Sequence, residues 1–131
     1  MIKIGTVSTA DPKTSSVRVA FADRDDMVSA PLPVITAGGW GKCIAVPEPG
    51  ETVLCVFLDN GQSAGFCLGT YYGGEEHPPG NGNQFGIWFE DGSYVYYDRV
   101  AKMLQVKAAS GVRIDGNLTV TGSITRGGVS L

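Results

Sequence analysis

Three cysteines, one histidine and a scatter of carboxylates are the residues that could do chemistry in this chain. Cys43, Cys55 and Cys67 could hold a metal or serve as nucleophiles, but their spacing fits no zinc pattern. Their number is odd, so at least one is unpaired within the chain. Cys55 and Cys67 sit in the apolar runs VLCVF and GFCLG and read as small core residues. His77, the only histidine, lies in a Pro/Gly linker without the lodged partner that a catalytic histidine needs, and reads as solvated. Glycoside cleavage needs two carboxylates about 5–10 Å apart in a cleft. Glu48, Glu51, Glu75, Glu76, Glu90 and Asp91 all fall in or beside turns and linkers, with little chain left over for a cleft. Asp23-Arg24-Asp25-Asp26 lacks the glycine and distal glutamate of a calcium loop. Gly38-Gly39-Trp40-Gly41-Lys42-Cys43 fails as a phosphate loop, with Thr36 in place of its first glycine and Cys43 in place of its Ser/Thr. The expectation is a protein with no catalytic, cofactor-binding or metal-binding residues, and so not an enzyme.

What these side chains would be mounted on is strand. The chain has 131 residues, 43% hydrophobic and 18% charged, with 19 glycines. That composition folds, and with frequent Val, Ile, Thr and Tyr it favours strands joined by turns. A net charge of −3 without a basic cluster argues against a general nucleic-acid binder and a polybasic membrane anchor. MIKIGTVSTA has no signal-peptide core, and no apolar run approaches the roughly 20 residues of a spanning helix. Synthesis in a cytoplasm is the expectation.

Ile2–Ser8 reads as a strand and 9–16, with Asp11-Pro12, as its turn. SVRVAFA (16–22) alternates, with Val17, Val19 and Phe21 on one side. Residues 31–35, rich in proline, belong at an edge. Pro47-Glu48-Pro49-Gly50 launches ETVLCVFL (51–58); Asp59-Asn60-Gly61 turns the chain back into AGFCLGTYY (64–72). This hairpin is apolar on both faces and predicts two-sided burial. Residues 1–72 thus predict a five-stranded, OB-like Greek-key barrel. Residues 73–84 form a Gly/Pro linker.

Residues 85–131 differ in kind. FGIWFEDGSYVYYD (85–98) carries the Asp91-Gly92 hairpin dipeptide. A two-residue loop pairs Phe89 with Tyr94 and Ile87 with Tyr96. It puts Phe85, Ile87, Phe89, Tyr94 and Tyr96 on one face, and Trp88, Val95 and Tyr97 on the other. Beyond it, Leu104, Val106, Ala108, Val112, Ile114, Leu118, Val120 and Ile124 are all even-numbered, with Gly116 and Gly122 in phase. The odd row is polar from Arg113 to Ser123, and only Ala109-Ser110-Gly111 interrupts the pattern. One register so long would reach roughly 70 Å if extended, against a radius of gyration of about 14 Å for a globule of this size. Burying seven large aliphatics is worth on the order of 10–20 kcal/mol as an upper estimate. The expectation is that three chains wind together in an intertwined β-helix or β-prism. They would turn at Gly111, Gly116 and Gly122 and bury Leu104, Val106, Val112, Ile114, Leu118, Val120 and Ile124 with the hairpin face.

The order G-T-V (5–7), V-R-V-A-F (17–21), P-E-P-G-E-T-V-L-C-V-F-L (47–58), G-F-C-L-G-T-Y-Y (65–72), F-E-D-G-S-Y-V-Y-Y-D (89–98) and V-R-I-D-G-N-L-T-V-T-G-S-I (112–124) resembles the phage baseplate assembly protein V family. These are the central tail spikes of contractile-tailed phages and related injection machines. The resemblance implies a homotrimer in the virion baseplate, made in the host bacterial cytoplasm. Its barrels would seat on the hub below the tail tube, and its shaft would be driven through the target envelope. Some members end in a His-x-His pair that binds iron. Residues 123–131 have none, so the shaft is expected to be blunt or capped by a separate tip protein. Two other classes stay open at this point. One is an OB-fold module that binds glycan or nucleic acid and is trimerised by its tail. The other is a component of a cell-wall hydrolase.

Overall fold

Alternation over Ser16–Phe21 becomes strand with its apolar row turned inward: Val17, Val19 and Phe21 are buried and Arg18 is exposed. The computed structural model describes residues 1–25, 27–58 and 64–131, with no description of the Arg24 side chain. Asp26 and the expected turn at Asp59-Asn60-Gly61 lie outside the described residues. The described residues are all-β apart from one 3-10 turn, Ala22–Arg24. They divide into two units, Met1–His77 and Pro78–Leu131, with the break inside the Gly/Pro stretch 73–84.

The first unit holds β1 (Ile2–Asp11), β2 (Ser16–Phe21), β3 (Met27–Val28), β4 (Leu32–Pro33), β5 (Thr52–Phe57) and β6 (Gly65–Thr70). β1 runs three residues past its expected end. An Asx turn, with the Lys13 amide donating to Asp11 Oδ1 at 3.0 Å, then reverses the chain. Antiparallel pairing gives the order β3-β2-β1-β5-β6, with β4 also on β2. Among the described residues this sheet thus has six strands rather than five, the extra one being a two-residue pairing of Met27–Val28 with β2.

The proline-rich piece is not a free edge. Val34 donates its amide to Ser15 O, and Ile35 donates to Cys67 O at 2.9 Å, beside a parallel bridge between Val34 and Cys67. The sheet therefore meets itself, running from β6 through β5, β1 and β2 to β4 and back to β6. Pro31 and Pro33 fit here because the residues after them supply the donors.

Enclosed by this sheet are Val7, Val17, Val19, Phe21, Leu32, Val53, Cys55, Phe57 and Cys67. Phe21 and Phe57 meet edge to face, with ring centroids 5.8 Å apart. Ser29 lies buried among them and satisfies two backbone groups, accepting from the Val19 amide and donating to Ala30 O. The expected two-sided burial of the β5–β6 hairpin does not occur within the chain. A sheet that closes on itself has one interior. Leu54 and Val56 are only half-buried, and Leu58, Phe66 and Leu68 are exposed on the outside.

The second unit is a meander of β7 (Gln84–Trp88), β8 (Tyr94–Asp98) and β9 (Met103–Lys107), followed by residues 108–124 without strand and a small hairpin, β10 (Thr125–Arg126) and β11 (Val129–Ser130). The β7–β8 loop corrects the expected register. It has three residues, Glu90-Asp91-Gly92, closed by the Phe89 amide on Ser93 O at 2.8 Å, with Gly92 in the left-handed region at φ +88°. That is a type I turn followed by a glycine bulge. The added residue slides β8 by one: Ile87 pairs Val95, Trp88 pairs Tyr94 and Phe85 pairs Tyr97. A shift of one exchanges the faces, so Tyr94 and Tyr96 do not share a face with Phe85 and Ile87.

Candidate functional site

Cross-strand neighbours define the site. Phe85 lies beside Tyr97 and Tyr97 beside Leu104; Ile87 lies beside Val95 and Val95 beside Val106. One face of the meander is therefore an apolar block of these six residues, all exposed, with Phe85 86% accessible. Phe89, where the strand leaves the sheet, is 53% exposed.

The opposite face has cover. Trp88 stacks on Tyr96, with centroids 5.2 Å apart and 14° between planes, and Tyr94 tilts against Tyr96 at 5.0 Å. Lys107 Nζ stands over the Tyr94 ring. Gly80 approaches the Trp88 ring so closely that a Cβ would come within 2.8 Å of it. Residues 81–83 tie down through Arg99 Nε on Asn83 Oδ1 and through the Asn81 amide on Gln84 Oε1. Tyr94 and Tyr96, expected to share a face with Phe85 and Ile87, thus lie on the opposite, aromatic face. Val95 and Tyr97 stand beside Ile87 and Phe85 instead.

From the meander the chain departs through an anchored turn. Ser93 is buried; its hydroxyl accepts the Ala109 amide at 3.0 Å and interacts with the Asp91 carboxylate, which also takes the Ser93 amide at 2.9 Å. These Ser93 contacts, the backbone amide first, hold the Asp91 carboxyl below the usual carboxylate range. Asp98 is held low in the same way by the Ala101 and Val100 amides, at the turn into β9. Neither the loop length nor the Ser93 anchor was read from the sequence. A serine directly after Asp-Gly, ahead of the strand, is the signal that could have found both.

Val112, Ile114, Leu118, Val120 and Ile124 are all exposed, between 43% and 67%. Among the described residues, no backbone hydrogen bond within the chain involves 112–123. The chain turns at Ala109-Ser110 into Gly111 (φ +106°), and bends at Gly116 (φ +141°) and again at Thr121-Gly122. Gly111 and Gly116 need the conformational range of glycine; Gly122 bends without a positive φ. The structure therefore brings together Phe85, Ile87, Leu104 and Val106. It leaves Val112, Ile114, Leu118, Val120 and Ile124 as an exposed apolar row, whose backbone from 112 to 123 makes no hydrogen bond among the described residues.

Of the residues tested for chemistry, only Cys55 and Cys67 lie side by side, paired across β5 and β6. Cys43 and His77 are exposed, while Cys55 and Cys67 are buried in the first unit. Among the described residues no cluster of three or more His, Cys, Asp or Glu could hold a metal. No helix is long and apolar enough to cross a membrane. No protein-family model matches this chain, and no curated protein matches it.

Proposed function

We propose that this chain is a structural subunit of a trimeric spike. Its first unit is an OB-like barrel, and its C-terminal segments intertwine into a β-helical or β-prism shaft. It acts at the baseplate of a contractile phage tail or related injection particle, seated on the hub under the tail tube. Its work is mechanical: contraction drives a narrow, rigid shaft through the target envelope.

The observation that carries this reading is the apolar row from Leu104 to Ile124. It is exposed along its length, and from residue 112 to 123 its backbone makes no hydrogen bond among the described residues. Three such rows sharing one axis remove their side chains from water and pair their backbones, leaving no open edge. The bends near Gly111, Gly116 and Gly122 let each short run pass to the next side of a three-sided prism. The order of motifs supplies the baseplate context.

Light scattering tests the assembly. Three copies of a 13.8 kDa chain make about 41 kDa, and a chain ending near residue 80 should run as a folded monomer. A full-length chain that stays monomeric in dilute solution sinks the proposal. A trimeric truncation moves the assembly into the barrel. Peptidoglycan incubated with the protein should release no fragments.

A further inference from the structure

Cys55 and Cys67 face each other across β5 and β6, both with no accessible surface. Their kind of pairing follows from the neighbouring hydrogen bonds. Phe57 exchanges both of its backbone bonds with Met1, its amide donating to Met1 O at 2.8 Å and its carbonyl accepting from the Met1 amino group at 3.0 Å. Cys55, two residues away, points its backbone groups the same way, toward β1. Cys67 accepts from Ile35 on its far side, so its backbone groups point away from β5. The two cysteines therefore form a non-hydrogen-bonded antiparallel pair, the closer of the two kinds, with Cα atoms about 4.5 Å apart. That lies at the short end of the range of about 4.4–6.8 Å that a disulfide spans. Both side chains point into the core, and the thiols hydrogen-bond to each other.

We propose that Cys55 and Cys67 are a site of reversible intrachain disulfide formation, clasping β5 to β6 when the protein meets a peroxide-class oxidant. Contact with Cys55 lowers the Cys67 thiol, and in the proposed step Cys67 is the attacking sulfur. Its thiolate attacks one peroxide oxygen, the O–O bond breaks, and water leaves once a proton is taken up. Cys55 sulfur then displaces the hydroxyl from the Cys67 sulfenic acid, and a second water leaves. Two thiols and one peroxide give one disulfide and two waters; the sulfurs are oxidised and the peroxide reduced. Access runs through local opening of the 34–35 segment, which pairs with Cys67 and is tied on its other side to Ser15, so the reaction is slow. None of this depends on how many copies assemble.

The test uses the full chain with Cys43→Ser, which removes the exposed thiol that would link copies. Native protein is treated with hydrogen peroxide, then alkylated with N-ethylmaleimide in denaturant and weighed by mass spectrometry. The expected product has lost two hydrogens, takes up no maleimide, maps to a linked pair of β5 and β6 peptides, and is restored by dithiothreitol. Its thermal midpoint should rise. Two alkylated thiols after prolonged exposure, a sulfinic acid in place of the link, or a link formed only in urea would overturn the proposal. So would the same loss of two hydrogens in a chain that also carries Cys55→Ser.

Discussion

Val19 and Val106 stand in similar sequences, each an apolar residue in an alternating strand, yet Val19 is fully buried and Val106 is 51% exposed. The contrast extends to their units. Every buried hydrophobic side chain among the described residues lies between Val7 and Cys67. In the second unit the only buried residue is Ser93, a turn anchor. The first unit hides its apolar row because its sheet meets itself through Val34 and Cys67. The second has an open three-stranded sheet and a segment, 108–124, without strand, neither of which has an inside. An alternating pattern thus states that a face must be covered, while the connectivity of the sheet states whether the chain can cover it alone.

The comparison breaks most directly at the exposed row. Replacing Ile114 and Leu118 together with Asp puts charges where the proposed assembly requires apolar contact, in each of its three copies. The expected outcome is loss of the trimer by light scattering, with the thermal transition of the first unit retained. A trimer that survives shows that this row is not the interface.

The mirror experiment is Phe21→Ala. It deletes a fully buried ring that meets Phe57 and should destabilise the first unit by about 3–5 kcal/mol, read by calorimetry, without changing the oligomeric mass.

Gly86→Ala comes next. A Cβ there would collide with Val95 O and with Tyr96 Cα and Cβ. Backbone cannot yield as a side-chain end does, so the meander should lose roughly 1–3 kcal/mol and assembly should weaken. Ser93→Ala should be milder, about 0.5–1.5 kcal/mol, and should speed exchange of the Ala109 amide.

The smallest effect is electrostatic. The carboxyls of Asp91 and Asp98 are depressed in the fold, so their contribution is present above the ordinary carboxylate range. It is lost as pH falls through their lower folded values. Amide exchange at Ser93 and Ala101 should quicken on acidification while the first-unit core stays protected. The change should be absent in Asp91→Asn at Ser93 and in Asp98→Asn at Ala101.

Much of this architecture was legible in advance. Strand positions followed from alternation and turn residues, as with Val17, Val19 and Phe21 facing one way. The Gly/Pro stretch 73–84 reads as a linker with nothing to bury, yet residues 80–83 serve as cover for Trp88 and as a tie to Arg99. The register of the second unit turns on a single residue. Asp91-Gly92 fits loops of two or three residues, and only the pairing of Phe89 with Ser93 decides between them. That choice moves Tyr94 and Tyr96 to the covered face and Val95 and Tyr97 to the open one.

The sequence alone determined which residues need shelter, because apolar periodicity is a local property of the chain. The tertiary structure decided which of them find it at home, because closure and register depend on residues far apart meeting across strands. Val34 with Cys67, Ser93 with Ala109, and Ile87 with Val95 are such meetings, and no stretch of neighbouring residues contains any of them.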